Sequence, residues 1–335
     1  MTKLDRYRAC LLAGAIGDQL GNDVEFMTRS QMLSEYGAQG VRTMSAHITD
    51  DTQMTLFTAE GMLMGVKHRM PMPACVYQSY LDWYRTQMPI SKGGAFARES
   101  ELLKVKALHA RRAPGNTCLS ALASGDMGLM DEPINNSKGC GGVMRVAPCG
   151  LLKMIDTSDP ADAYAIQGAQ AAAITHSHVM GFVPAAMLSD MVHTIVADDG
   201  FTLEGVVCSS LVRMQKLFGF MPQMAEFTNL IERAVSLSVG GKPAHEAIRE
   251  LGEGWVGDEA LAIAIYCVLK FRDNMEDCLS AAVTHNGDSD STGAIAGNIL
   301  GAWLGMEGIP VHWLEKLELR EVIDDMAVRL YEAAN

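Results

Sequence analysis

Two short clusters near opposite ends of the chain combine carboxylates with hydroxyls: Ile48-Thr49-Asp50-Asp51-Thr52 and Gly287-Asp288-Ser289-Asp290-Ser291-Thr292. Hard oxygen donors of this kind suit Mg²⁺ or Mn²⁺. If folding brings the clusters together, Asp50, Asp51, Asp288 and Asp290 meet, and such a concentration of like charge requires cations or protons. The same residue types are preferred helix N-caps, because their oxygens accept from the unpaired N–H groups of a first helical turn. Each cluster leads into an apolar helical run, so for either one alone both readings stay open. One helix needs one cap, and the recurrence of the same form favours ligands.

Three further constellations carry chemistry. The segment from Gly14 to Gly21, followed by Asn22-Asp23-Val24-Glu25-Phe26, ends a helix in a carboxylate-bearing loop. Glu25 is either a solvent-facing acid or a group that positions water or protonates a leaving group beside a metal. Asn135-Asn136-Ser137-Lys138-Gly139-Cys140-Gly141-Gly142 offers unobstructed backbone N–H groups and one cation, a combination that can cradle a phosphate. It matches neither a Walker nor a Rossmann pattern. Thr175-His176-Ser177-His178 lies between two helical runs, and with no other zinc-type ligands at suitable spacing His176 reads as a hydrogen-bonding partner for a ligand.

The elements that must position these residues are helical. Apolar residues recur at helical spacing over Asp5–Leu20, Asp51–Val66, Cys75–Arg85, Phe96–His109 and Ala161–Ile174, and the pattern continues to a final stretch over Val311–Leu330. Period-two alternation is scarce. The fold class is therefore all-α, a compact multi-helix domain of a dozen or so helices spanning residues 1–335 as one unit. The segment from Arg112 to Pro148 reads as irregular, and irregular stretches of that length inside a compact domain are usually functional. Gly293, Gly297, Gly301 and Gly305 fall on one helical stripe, with a looser counterpart at Gly14, Gly17 and Gly21, so these two helices are expected to pack closely against each other.

Composition narrows the function classes. With 48% hydrophobic and 20% charged residues in 335, the chain can bury a sizeable core. A formal net charge of −13 argues against a nucleic-acid backbone as partner. Gly293–Ile309, interrupted by Asn298 and Glu307, is short for a membrane span. The N-terminal run lacks the pattern of a signal peptide, and eight cysteines are scattered without a Cys-x-x-Cys pair. Reduced thiols and a cytoplasmic protein are expected.

Taken together, Gly-x-x-Gly-Asp-x-x-Gly-x-x-x-Glu-Phe at 14–26, Thr-Asp-Asp-Thr at 49–52, Gly-Cys-Gly-Gly-Val-Met-Arg-Val-Ala-Pro at 139–148, Thr-His at 175–176 and Gly-Asp-Ser-Asp-Ser-Thr-Gly-Ala-Ile-Ala-Gly at 287–297 resemble the ADP-ribosylglycohydrolase family. The motifs run in family order over nearly the whole chain, and Arg112-Ala113-Pro114-Gly115-Asn116-Thr117 is similar to a stretch of bacterial members. The resemblance implies an orthogonal all-α fold with a dinuclear Mg²⁺ or Mn²⁺ centre held by Thr49, Asp50, Asp51, Asp288, Asp290 and Ser291. It implies Glu25 as the mobile catalytic glutamate, with Asp50 and Asp51 sharing in catalysis through the metals. Asn135, Asn136, Ser137, Lys138, Gly139, Cys140 and Gly141 correspond to the loop that holds the pyrophosphate and distal ribose, and His176 to a ligand contact.

The chemistry so implied is hydrolysis of the bond from the ribose C1″ of ADP-ribose to an acceptor side chain of a modified protein, releasing ADP-ribose. Arginine is the preferred acceptor, with serine as the alternative. A cognate ADP-ribosyltransferase would be a further partner, and no membrane partner is implied. The competing class is a protein that binds ADP-ribose, or blocks a toxin transferase, without turnover. The complete ligand set together with Glu25 favours catalysis.

Overall fold

The computed structural model describes residues 1–88, 93–197 and 200–335. Among these residues the chain is 68% helical and has no strand. In chain order the helices are α1 (Lys3–Gly21), α2 (Arg29–Tyr36), α3 (Asp50–His68), α4 (Met72–Gln87), α5 (Asn116–Ser124), α6 (Ala147–Leu151), α7 (Ala163–Ala173) and α8 (Val179–Ala197). There follow α9 (Leu203–Phe218), α10 (Met224–Val239), α11 (Ala244–Leu251), α12 (Gly257–Lys270), α13 (Met275–Val283), α14 (Ser289–Leu304), α15 (Val311–Leu314) and α16 (Arg320–Ala334).

Local chemistry sets many of the starts. Thr2 accepts from Asp5 N while the Asp5 carboxylate accepts from Thr2 N, a reciprocal cap for α1, and Thr28 with Gln31 does the same for α2. Asn274 caps α13 and Thr202 caps α9. α8 is apolar enough to cross a membrane, but 83% of its most apolar window is buried inside the protein, as expected of a core helix. It lies against α6, α7, α9, α12 and α14.

The expected pairing of the glycine-bearing helices is present. α1 runs along α14, and a Cβ built on Gly17 would lie 2.0 Å from Gly293 O, while one on Gly297 would lie 2.1 Å from Ala13 O. No side chain fits between backbones this close. Gly305 differs from the rest of the stripe: it ends α14 with φ 68°, a left-handed conformation that suits glycine.

Two expected helices are not continuous. The stretch Phe96–His109 forms turns and two short 3₁₀ segments, because the buried Glu60 carboxylate takes Ser100 Oγ and the N–H groups of Glu101 and Leu102 at 2.7, 3.0 and 3.3 Å. The stretch Val311–Leu330 is split into α15 and α16, with Leu319 at φ 57°. At that break Gln19 Nε2 donates to Lys316 O and Glu318 N donates to Gln19 Oε1, at 3.2 and 2.9 Å. The segment read as irregular, Arg112 to Pro148, contains α5 and the start of α6.

Replacing Gly297 with alanine should force α1 and α14 apart and destabilise the protein by about 1–3 kcal/mol, the range for overpacking a filled core. Chemical denaturation of the variant beside the wild-type protein would measure it, and an unchanged midpoint would show that the two backbones are not in contact.

Candidate active site

The two acid-bearing segments meet because of the α1–α14 pairing. Asp288 is the N-cap of α14 and accepts from Ser291 N at 3.3 Å, while Thr49 is the N-cap of α3 and accepts from Asp51 N at 3.2 Å. Asp18, wholly buried in the last turns of α1, holds the α3 start in place. Its carboxylate accepts from Thr49 N at 3.0 Å, from Thr52 N at 3.1 Å and from the Thr52 hydroxyl through a short contact. On the outer side Glu318 accepts from Ile48 N at 2.9 Å and pairs with Arg112 at 3.0 Å. Thus the segments that cap the two helices also carry carboxylate and hydroxyl oxygens besides the capping atoms.

Those oxygens face a cleft of about 570 Å³ lined by Glu25, Asp50, Asp51, Asp288, Asp290 and Ser291. One oxygen each from Glu25, Asp288 and Asp290 lie within 4.8 Å of one another. Asp50 Oδ2 accepts from Gly115 N at 3.1 Å, which ties the cleft to the loop before α5. Asp51 is 2% exposed and its Oδ1 has no hydrogen-bond partner. A buried carboxyl oxygen without a donor is costly unless a proton or a cation neutralises the group, and the all-oxygen donor set around it fits a hard divalent ion.

Burial pushes the Glu25 carboxyl up to about 8, and the charges of Asp288, Asp50 and Asp18 add to the rise. Burial raises Asp50 to about 8 as well, against the opposing Gly115 N–H. Asp51 and Asp290 are held well above the usual carboxylate range by burial and then by neighbouring acids. The cleft without cations is therefore a proton store.

Its opposite wall is built from the glycine-containing loop. Gly139, Cys140 and Gly141 line the cleft beside His176, whose ring is buried and kept neutral because burial and the nearby Arg145 push its pKa far down. A Cβ on Gly141 would come to 3.0 Å from the His176 ring, so a side chain there would push the loop or the imidazole aside. Cys140 Sγ lies 2.6 Å from Asp288 Oδ2. Arg145, fully buried, donates to Thr175 Oγ1 at 2.6 Å and to Ala171 O at 3.2 Å and lies 4.5 Å from the Tyr80 ring centre.

Not every candidate from the sequence lines the cleft. Thr49 lies behind it as the α3 cap. Asn135 is occupied in the loop itself, donating to Thr175 O and accepting from Ser137 N and Ser177 N. Ser137 Oγ pairs with Thr117 Oγ1, and Asn136 and Lys138 are exposed. Three residues were missed. Asp18 had a signal, an acid in the largely apolar second half of α1. Arg145 had one too, a lone cation inside an apolar run. Trp255, in a segment that reads as a local turn, had little: its ring stacks on Phe26 at 5.9 Å and 20° across the mouth of the cleft, with Phe26 80% exposed.

The family model described as ADP-ribosylglycohydrolase matches residues 1–335. The chain is 26% identical over 323 residues to the ADP-ribosyl-dinitrogen reductase glycohydrolase of Rhodospirillum rubrum, covering 94% of this chain and 91% of that one. It is 24% identical over 335 residues to the ADP-ribosylarginine hydrolase Tri1 of Pseudomonas putida, covering 99% and 79% respectively. A solved ADP-ribosylglycohydrolase-related protein complex shares the fold with a TM-score of 0.67, at 24% identity and 99% coverage of both chains.

The raised carboxyls give a signed expectation for stability. A carboxyl that titrates higher in the fold than in the unfolded chain contributes stability below about pH 4, and that contribution is lost as pH rises through the folded value near 8. With chelator present, the melting temperature should fall between pH 6 and pH 8. Adding Mg²⁺ should raise it by roughly 2–4 °C or more at pH 8 and by less at pH 6. A metal response independent of pH in thermal denaturation would detach the cations from these acids.

Proposed function

The chain belongs to the ADP-ribosylglycohydrolase family and is an enzyme of it, and on that premise we propose that it removes ADP-ribose from arginine side chains of modified proteins. The observation that carries the reading is the convergence of Glu25, Asp288 and Asp290 within 4.8 Å, beside the unpartnered Asp51 oxygen, in a cleft walled by Gly139, Gly141 and His176. The choice of arginine is supported by the likeness to an ADP-ribosylarginine hydrolase. We further propose that residues 1–335 act as one domain, supported by a hydrophobic core that draws on α1 through α16. The eight unpaired cysteines support a reducing, cytoplasmic setting.

Asp50, Asp51, Asp288, Asp290, Ser291 and Thr49 would hold two divalent cations, Mg²⁺ or Mn²⁺. Bound there, such cations would balance the carboxylates, orient ribose hydroxyls and a water, and stabilise developing negative charge. The chain's own residues do the rest. The exposed faces of Trp255 and Phe26 offer stacking surface for the adenine, and the backbone at Gly139 and Gly141, bare of side chains at those two positions, accommodates the diphosphate. Neutral His176 holds the loop and presents a hydrogen-bonding edge without adding charge. Glu25, beside the reacting centre, can deliver a proton to the departing guanidine nitrogen and then take one from the attacking water. Holding the acceptor bond between this acid and the ribose turns an encounter into an oriented reaction.

Glu25→Gln should lower the rate of ADP-ribose release by about 10²–10⁴-fold, the usual range for a general acid or base, with ADP-ribose binding retained. Asp288→Asn should abolish metal-dependent release. The assay follows ADP-ribose freed from arginine-linked protein with and without Mg²⁺, with serine-linked substrate in parallel. Cleavage of the serine linkage alone would move the acceptor assignment. ADP-ribose binding without release from either linkage would replace the hydrolase with a binding or blocking protein.

A further inference from the structure

We propose that an open groove beside the cleft, between α4 and α5, receives the polypeptide around the modified residue, and that Arg111 engages an acidic side chain close to it. This rests on the hydrolase reading and adds a class of protein substrate to it.

The groove measures about 510 Å³ and shares Arg111, Asn116 and Thr117 with the cleft as common walls. It begins next to the reacting centre, because Gly115, the residue before α5, donates its N–H to Asp50. From there its lining follows one helical face: Asn116, Leu119 and Ser120 stand at the i, i+3 and i+4 positions of α5. Tyr84 and Met88 face them from α4 and the residue that follows it. Such a surface, part apolar and part neutral hydrogen-bonding, suits a polypeptide rather than a second nucleotide phosphate. A modified protein must leave the cleft along some path, and this one starts at a carboxylate of the site.

Charge supplies the specificity. The two adjacent arginines have different fates: Arg112 is fixed by Glu318 and by Ile48 O, at 3.0 and 3.2 Å. Arg111 is exposed and makes no ion pair among the described residues. Among those residues it is also the only Lys or Arg lining either cavity. In a chain of net charge −13, an unpaired cation at the junction of an acidic cleft and a neutral groove is placed to select an anionic group on whatever passes through. The anion we assign is a Glu or Asp of the substrate chain.

The test compares three substrates in the linkage that the wild-type protein cleaves: the free ADP-ribosylated amino acid, and ADP-ribosylated peptides with either glutamate or lysine flanking the modified residue. Wild-type kcat/KM should favour the glutamate peptide by about threefold or more, as for a single exposed ion pair, and the preference should weaken with added salt. Arg111→Glu should reverse the preference. Ser120→Trp, at an exposed position that lines only the groove, should raise KM for both peptides and leave the free amino acid substrate unchanged. Equal losses on peptides and free substrate in Arg111→Glu would instead place Arg111 on the ADP-ribose diphosphate and overturn the proposal. Peptide kinetics untouched by Ser120→Trp would do the same. If the wild-type protein cleaves neither linkage even in the free substrate, the hydrolase reading itself fails, a result read independently of the groove.

Discussion

The close approach of the α1 and α14 backbones is the contact on which the rest of the site depends. Because glycine at 17 and 297 leaves no side chain between them, the end of α1 lies directly against the start of α14, and a Cβ on Gly21 would lie 2.4 Å from Asp290 Cα. The same few residues of α1 carry Asp18, which captures the start of α3 through Thr49 and Thr52. One helix pairing thus fixes two helix N-termini side by side. Each carries acids in its first turn, a placement favoured by the positive end of the helix dipole and by the free N–H groups there. The dipoles offset part of the repulsion among the acids, while burial first and the remaining repulsion second raise their pKa values.

This arrangement explains why the sequence showed the acid clusters so clearly. Capping and ligation select the same residue types, so Thr49-Asp50-Asp51 and Asp288-Ser289-Asp290-Ser291 are visible under either reading, and the structure shows Thr49 and Asp288 as caps while other acids of the same segments line the cleft. The helices were legible for a similar reason: amphipathic periodicity is local, and α1, α3 and α7 begin and end within about two residues of the pattern. What could not be read depends on contacts distant in sequence. The break between α15 and α16 exists because Gln19, almost three hundred residues earlier, binds the Lys316–Glu318 backbone. Nothing in the apolar pattern of Val311–Leu330 encodes that partner. The loss of helix over Phe96–His109 likewise follows from the buried Glu60 collecting backbone N–H groups.

The glycine loop shows a subtler limit. Its composition suggests that every residue faces a ligand, whereas the structure divides the loop by function. Asn135 and Ser137 are occupied in shaping the turn, and the cleft-facing part begins at Gly139, where the chain makes its isolated bridge to Val256. That bridge also sets Trp255, whose carbonyl accepts from Cys140 N at 3.2 Å. An aromatic residue in a short turn carries no periodic signal, and its value lies in the partner that the fold supplies.

Charge connects these parts into one argument about affinity. ADP-ribose, the ligand of the proposed reaction, is an anion, and the cleft that would receive it holds five carboxylates within a protein of net charge −13. Arg145 is the nearby buried cation, but its guanidinium is committed to Thr175, Ala171 and the Tyr80 ring and lines no part of the cleft. His176 is neutral. The protein therefore offers an anionic ligand backbone N–H groups and aromatic faces but almost no positive charge of its own. On the proposed reading the acids would hold protons without metal and repel the ligand once ionised, so that divalent cations shared between them would couple ion binding to ligand binding, each strengthening the other by the same factor. Such coupling would let the cleft discriminate against anions that lack ribose hydroxyls, since charge neutralisation alone would bring them no closer to the acids than the solvent does.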